Sequence, residues 1–181
     1  MGLLGNQRSV QQLVDEHYPA LYRYAYRLTG SSADAEDLTQ ETFCKAQAQF
    51  GQLREHARAR GWLFSILRNA YLHRVRSLKQ QRQVSLDQVP DLPEPLPDPL
   101  PEIEPGRLQQ ALGELPELFR TPVILFYFEE FSYRDIAEQM ELPLGTVMSR
   151  LARAKAYLRC RLLQPSDLAL ADGERRANDG L

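Results

Sequence analysis

Residues 83–105 constrain the fold most, because a compact domain cannot easily be built through them. Seven of the twelve prolines in the chain fall here, together with six carboxylates and no basic residue. Proline removes helix hydrogen-bond donors and the carboxylates repel one another, so an extended tether is predicted. At about 3.1 Å per residue in polyproline geometry, it could span on the order of 70 Å. An inert spacer and a segment that excludes DNA or imitates its charge are both compatible with this composition.

The 181 residues are therefore predicted to form two small domains, 8–82 and 106–163, followed by a loose tail at 164–181. Both domains are predicted to be all-α, because apolar residues recur with the helical period. Three helices are expected before the tether, with Thr29-Gly30 ending the first and Ser31, Ser32 or Asp34 capping the second. After the tether, the apolar stretch 121–128 is predicted to be helical, although its composition alone would permit a strand.

Residues 131–160, FSYRDIAEQMELPLGTVMSRLARAKAYLRC, are typical of a helix-turn-helix. Ser132 followed by Asp135 indicates a reciprocal cap, and Leu142-Pro143 ends the first helix. The second helix, from Leu144 or Gly145, carries five basic residues and no acid before residue 163. Its apolar residues are predicted on one face and its polar residues elsewhere. The apolar set is Val147, Leu151, Ala154 and Leu158, and the polar set is Ser149, Arg150, Arg153 and Arg159. Such a helix fits the DNA major groove.

The third helix, expected at 57–81, carries a second nucleic-acid signal. Residues 54–82 hold eight basic residues and one acid, and Arg68 and Lys79 fall within about 40° on a helical wheel. Phe64 and Tyr71 flank this basic line on one side, and Trp62 lies on the other. Basic and aromatic side chains together suit single-stranded DNA, because cations follow phosphates while rings stack on bases. The alternative is that the rings seal the core, which we favour for Trp62, while both interpretations stay open for Tyr71.

The second helix carries the opposite charge. Asp37, Gln40 and Glu41 are spaced i, i+3 and i+4, so they are predicted on one exposed face. The helix macrodipole explains acids in the first turn but not Glu41, which lies further in. Because an acidic face does not hold DNA, a basic protein partner is predicted.

Three motifs in this order resemble the bacterial RNA polymerase sigma factors of the extracytoplasmic-function (ECF) group in the sigma-70 family. They are DAEDLTQETFCKA, GWLFSILRNAYLHRVRS and FSYRDIAEQMELPLGTVMSRLARA, and the likeness covers roughly residues 10–163. The resemblance implies a sigma region 2 helical bundle and a region 4 helix-turn-helix. It implies core RNA polymerase (β′ and β subunits), promoter DNA and an anti-sigma factor as partners. The tether would thread toward the RNA exit channel.

The resemblance also implies roles for individual residues. Asp37, Gln40 and Glu41 would dock on the β′ clamp helices, and the third helix with the loop 50–60 would melt the −10 element. The residues expected at the −10 element are Arg58, Arg60, Trp62, Arg68, Asn69, Tyr71, Arg76 and Lys79. At the −35 element, Ser149 and Arg153 are expected on base edges, and Thr146, Arg150 and Lys155 on phosphates. Met148 can pack on a thymine methyl group but cannot bond guanine.

Two other classes of protein are alternatives to a sigma factor. An ordinary helix-turn-helix regulator would bind duplex DNA without the polymerase, but this alternative does not explain the acidic face of the second helix. An enzyme is not expected, since no nucleophile motif or phosphate loop is present, and the three histidines are not spaced with Cys44 and Cys160 as metal ligands. No metal or cofactor is expected. Two distant thiols with no signal peptide predict a cytoplasmic protein, and no apolar run is long enough to insert into a membrane.

Overall fold

A computed structural model describes residues 10–53, 55–80 and 104–162. Within these ranges the chain is all-α without strands, as predicted. The helices are α1 (Val10–Thr29), α2 (Ser32–Gln49), α3 (Ala59–Gln80), α4 (Pro105–Glu114), α5 (Glu117–Tyr127), α6 (Tyr133–Met140) and α7 (Leu144–Leu162). Short 3-10 turns lie at Phe50–Gln52 and His56–Arg58. The predicted tail and nearly all of the predicted tether lie outside the described residues.

Helices α1, α2 and α3 pack against one another around a single apolar core. Its largest buried side chains include Leu21 and Tyr24 of α1, Leu38 of α2, and Leu63 and Phe64 of α3. The rings of Tyr24 and Phe64 lie 5.0 Å apart between centroids, which joins α1 to α3. Because each helix contributes one apolar face to this core, the opposite faces of α2 and α3 are exposed to solvent.

The junction between α1 and α2 follows the local sequence signals. Gly30 takes a φ of 74°, a conformation that favours glycine, and its N–H donates to the Tyr26 carbonyl at 2.8 Å. Ser31 then caps α2, and its hydroxyl accepts the N–H of Asp34 at 3.3 Å. The predicted helix end and cap are therefore confirmed. His17 lies on the inner face of α1, with 8% of its surface exposed.

Helices α4 to α7 form the second group, in which α5 and α4 both pack against α7. The apolar stretch 121–128 is helical up to Tyr127, so the strand alternative is wrong. Helix α4 begins earlier than the predicted domain, because Glu104 caps it with hydrogen bonds of 3.0 Å from the N–H groups of Gly106 and Arg107. Pro105 occupies the first helical position, where its missing N–H costs nothing.

Candidate polymerase and nucleic-acid interfaces

The turn between α6 and α7 is held by backbone and side-chain hydrogen bonds at both ends of α6. The hydroxyl of Ser132 accepts the N–H of Asp135 at 3.2 Å, and the Asp135 carboxylate accepts the N–H of Ser132 at 3.0 Å. At the other end, Glu141 takes a φ of 53° and Leu142 N–H donates to the Ala137 carbonyl at 2.9 Å. The predicted reciprocal cap and turn are confirmed, and α7 starts at Leu144 as expected.

Helix α7 turns one face into the protein and the other toward solvent. Val147, Leu151 and Ala154 are buried, as predicted. The residues expected at the −35 element all keep some exposure. Met148, Ser149 and Arg153 are exposed, while Thr146, Arg150 and Lys155 are half-buried. The Ser149 hydroxyl donates to the Thr146 carbonyl at 3.0 Å, so its oxygen still has lone pairs for an outside donor.

The prediction for the last turns of α7 is wrong. Arg159, expected away from the apolar face, is only 6% exposed, whereas Leu158 is half-buried. Helix α4 packs on this end: Arg107 donates to the Leu162 carbonyl at 3.2 Å, and Arg161 Nε donates to Glu114 at 2.7 Å. Because α4 covers this end of α7 in addition to α5, the buried face is wider here than a single stripe predicts.

The acidic face of α2 is divided by the structure. Asp37 and Gln40 are exposed, but Glu41 is half-buried and bonded inside the chain. Its Oε2 accepts from Arg74 of α3 at 2.6 Å (Nη2) and 3.0 Å (Nε), and its Oε1 accepts from Lys45 at 2.7 Å. The hydrogen bond from Lys45, followed by that from Arg74, holds the pKa of Glu41 below its ordinary value. Helix α2 thus presents two exposed polar residues beside one carboxylate that ties it to α3.

Arg74 is the residue that sequence reasoning missed. On the sequence it belongs only to the basic segment 54–82, because a helical wheel shows which face a residue occupies but not which neighbouring helix it meets. The sequence signal that could have indicated this contact is Glu41, because a carboxylate two turns into a helix is not explained by the helix macrodipole and can form an ion pair with a basic residue of a neighbouring helix.

The residues expected at the −10 element divide into exposed and half-buried side chains. Arg58, Asn69 and Arg76 are exposed, and Arg58 pairs with Glu55 at 2.9 Å. Arg68, Arg60 and Trp62 are half-buried, so the expectation that Trp62 belongs to the core is only partly met. The Lys79 side chain lies outside the described part.

Of the two interpretations left open for Tyr71, the structure favours the one in which its ring belongs to the core. It is 7% exposed and Phe64 is fully buried, so both rings belong with the core rather than to an open stacking surface. Arg60 lies over the Phe64 ring with its guanidinium carbon 5.1 Å from the centroid, a cation–π contact that anchors the start of α3. The basic side chains of α3 therefore remain candidates for phosphates, but Tyr71 does not offer its ring to a base in this structure.

The described residues offer neither a metal site nor a membrane span. No cluster of three or more histidine, cysteine or acidic residues that could hold a metal ion occurs within residues 10–53, 55–80 and 104–162. Among the helices of those same ranges, none has the length and apolarity to cross a bilayer. Cys44 and Cys160 are exposed free thiols.

Family models match both helical groups. The model of Sigma-70 region 2 matches residues 13–81, and that of Sigma-70 region 4 matches residues 106–158. Among solved structures, the sigma factor RpoE from Bartonella quintana, in complex with the anti-sigma factor NepR, is 29% identical with a TM-score of 0.69. That match covers 83% of this chain and 94% of RpoE. CnrH, in complex with the cytosolic domain of CnrY, is 25% identical with a TM-score of 0.60, over 86% of this chain and 88% of CnrH.

Curated relatives agree with these matches. ECF RNA polymerase sigma factor SigE of Mycolicibacterium smegmatis is 39% identical over 87% of this chain, and the match spans 63% of SigE. ECF RNA polymerase sigma factor SigL of Mycobacterium tuberculosis is 35% identical over 84% of this chain and 88% of SigL. With two sigma regions matched in order and a relative of this identity covered nearly throughout, the chain belongs to the ECF RNA polymerase sigma factors.

Proposed function

We propose that this chain is a transcription initiation factor that binds core RNA polymerase and directs it to specific promoters. Residues 8–82 act as the polymerase-docking and −10 domain, 83–105 as the linker, and 106–163 as the −35 domain. The observation that carries the proposal is the opposite charge of two exposed helix faces. Helix α2 exposes the acids Asp34, Glu36 and Asp37 beside the uncharged Gln40, whereas α7 carries only basic charges. An acidic face repels DNA and fits a basic protein surface, so one chain has a face for each partner.

Helix α2 docks on the β′ clamp helices through Asp37 and Gln40, with Glu41 at the edge of the same face. Helix α3 and the turn before it approach the −10 element, where Arg58, Arg68 and Arg76 follow phosphates and Asn69 is exposed for a base. The assignment is supported by the exposure of Arg58, Asn69 and Arg76 and by the basic charge of the segment. In this role the chain itself catalyses no reaction.

Helix α7 enters the major groove at the −35 element. Its first three turns expose Met148, Ser149 and Arg153 to solvent. These turns are the ones that would contact base edges, because recognition helices read bases with their N-terminal residues. Ser149 and Arg153 are assigned to base edges, and Thr146, Arg150 and Lys155 to phosphates. A partly buried Arg150 is compatible with this, because its long stem can lie on the protein while its head reaches out.

A regulatory partner completes the proposal. RpoE and CnrH are each described in complex with a partner, NepR and the cytosolic domain of CnrY respectively. We extend this to an anti-sigma factor that covers the polymerase-binding surfaces of this chain in the cytoplasm, where the polymerase works. Besides the β′ clamp helices, the β subunit of the polymerase is expected to bind this chain.

The test is in vitro transcription from random promoter sequences by core polymerase with and without this protein. New start sites that share two motifs are expected only when the protein is present. Asp37→Lys should abolish them, while Glu36→Lys, an equal charge change at the neighbouring exposed position, should not. Glu41→Lys is unsuitable, because it would also break the bond to Arg74.

Two outcomes would contradict the proposal. One is an absence of new start sites combined with tight duplex binding by the protein alone, which is the behaviour of an ordinary regulator. The other is an equal loss with Glu36→Lys and Asp37→Lys, which would show that only net charge matters.

A further inference from the structure

In its first ten residues, 144–153, the solvent side of α7 is divided lengthwise into an apolar flank and a basic flank, whereas Lys155, further along the helix, lies on the same side as the apolar flank. Leu144 is 43% exposed, Met148 is 51% exposed and Ala152 is exposed as well. At 100° per residue, these three span an arc of about 80° on the helix. We call them the apolar flank. On the other side of Ser149 lie the polar and basic residues Thr146, Arg150 and Arg153.

The apolar flank is not explained by the packing of the protein. Helix α7 already buries a complete apolar face through Val147, Leu151 and Ala154. A single exposed apolar residue would be ordinary on any surface. Two large ones, a helical turn apart within the first two turns of a recognition helix, instead occupy the positions that approach base edges.

The charge of α7 identifies what covers the apolar flank. Residues 144–162 contain five basic residues and no acid, so the surroundings suit a polyanion better than an apolar protein groove. Among the groups that base pairs display in the major groove, the thymine C5-methyl is the apolar one. Methionine has a flexible thioether that adapts to such a group, and it has no donor for guanine or adenine nitrogen atoms.

We propose that Met148, supported by Leu144, reads a thymine methyl group in the −35 element and is a specificity-determining residue of this sigma factor. The inference rests on the proposed function, since it takes α7 to lie in the major groove. Thr146, Arg150 and Arg153 hold the backbone and the neighbouring base on the other flank. Burying one methyl group changes affinity about fourfold, so removal of the thymine methyl group should weaken promoter binding by about this factor.

The experiment uses the full chain bound to core polymerase. Promoters are first selected from a pool with a randomised −35 element, and each −35 thymine is then replaced by deoxyuridine, which removes only the methyl group. At one position, deoxyuridine should weaken promoter binding about fourfold for the wild type and less than about twofold for Met148→Ala. Met148→Ala should fold normally, because the side chain is half in solvent and both residues favour helix.

Arg150→Ala is the matched control. It should weaken binding to both promoters, because a phosphate contact is lost, while keeping the fourfold ratio between thymine and deoxyuridine. A ratio that collapses in Arg150→Ala as well would show that any weakening of α7 erases the effect, and it would overturn the assignment to Met148.

Three further results would overturn the inference. Selected promoters without a required −35 thymine, or an equal deoxyuridine penalty in wild type and Met148→Ala, would overturn it while leaving the proposed function intact. Lower affinity of Met148→Ala for core polymerase without DNA would make the apolar flank a protein-binding surface. Failure to select any promoter would overturn the inference together with the proposed function.

Discussion

The ion pair between Arg74 and Glu41 leads to a stability prediction that needs neither polymerase nor DNA. Arg74→Met keeps most of the aliphatic stem and removes the guanidinium that donates twice to one Glu41 oxygen, at 2.6 and 3.0 Å. The side chains of Arg74 and Glu41 are 37% and 32% exposed, so solvent screens the pair in part. We expect the substitution to loosen the attachment of α3 to α2.

The expected magnitude lies between two limits. A hydrogen bond to a fully buried charged group contributes about 1.5–3 kcal/mol, whereas an exposed ion pair contributes about 0.2–1 kcal/mol. A pair about one third exposed with two-nitrogen geometry should fall near 1 kcal/mol. In a domain as small as that formed by α1 to α3, such a loss lowers the midpoint of thermal unfolding by about 4–8 °C.

The chain supplies its own probe for this measurement. Trp62 is the single tryptophan and lies on α3, so tryptophan fluorescence reports the unfolding of the unit that contains the ion pair. Arg76→Met is the matched control, since Arg76 is exposed on the same helix and should shift the midpoint little. A double-mutant cycle with Glu41→Gln should give a coupling energy near 1 kcal/mol for Arg74.

Equal midpoints for Arg74→Met and Arg76→Met would refute this reasoning. A coupling energy indistinguishable from zero would do the same, because the two side chains would then act independently. A larger loss in Glu41→Gln than in Arg74→Met is compatible with the argument, since Lys45 also bonds Glu41 at 2.7 Å.

Three further predictions concern pH, salt and the buried arginine of α7. Hydrogen bonds from Lys45 and then Arg74 lower the pKa of Glu41, so its contribution to stability is present above the ordinary value of 4.5. That contribution is lost as pH falls from 4.5 to the lowered value, and acid unfolding followed by fluorescence should be less steep in Glu41→Gln. In promoter-binding titrations with the holoenzyme, Arg150→Ala should reduce the slope of log affinity against log salt by about 0.9, the value for one phosphate contact. Arg159→Ala should cost about 2 kcal/mol in circular-dichroism melts, because it truncates a buried side chain, and clearly more than Arg161→Ala.

Elements with a local cause were predictable from the sequence. The end of α1 at Gly30, the Ser31 cap of α2 and the reciprocal cap of Ser132 and Asp135 each depend on residues within four positions of one another. Helical periodicity likewise placed Val147 and Leu151 on the buried face of α7. These signals are sufficient for helix boundaries and for the outward face of a recognition helix.

Elements that depend on a second helix were not predictable in the same way. Arg159 is buried because α4 covers the end of α7, and a wheel drawn for α7 alone contains no information about α4. Tyr71 lies near the edge of the apolar face of α3, where a few degrees of rotation decide between core and surface. In both cases the residue type was ambiguous, since arginine has a long apolar stem and tyrosine a polar end.

Glu41 shows how this limit affects an argument about function. The macrodipole does not explain a carboxylate two turns into α2, which is one reason to expect a basic protein there, although Lys45 four residues later already offers an i, i+4 ion pair. The structure supplies Arg74 and Lys45, so Glu41 no longer requires an external cation. The expectation of a basic partner therefore rests on Asp37 and Gln40, which remain exposed, and on the sigma-factor relationship. An exchange of charges, Glu41→Arg with Arg74→Glu and with Lys45→Gln to remove the like charge beside position 41, separates the two roles of Glu41. It should restore polymerase binding if the ion pair only positions α2, and it should restore stability alone if Glu41 itself touches the polymerase.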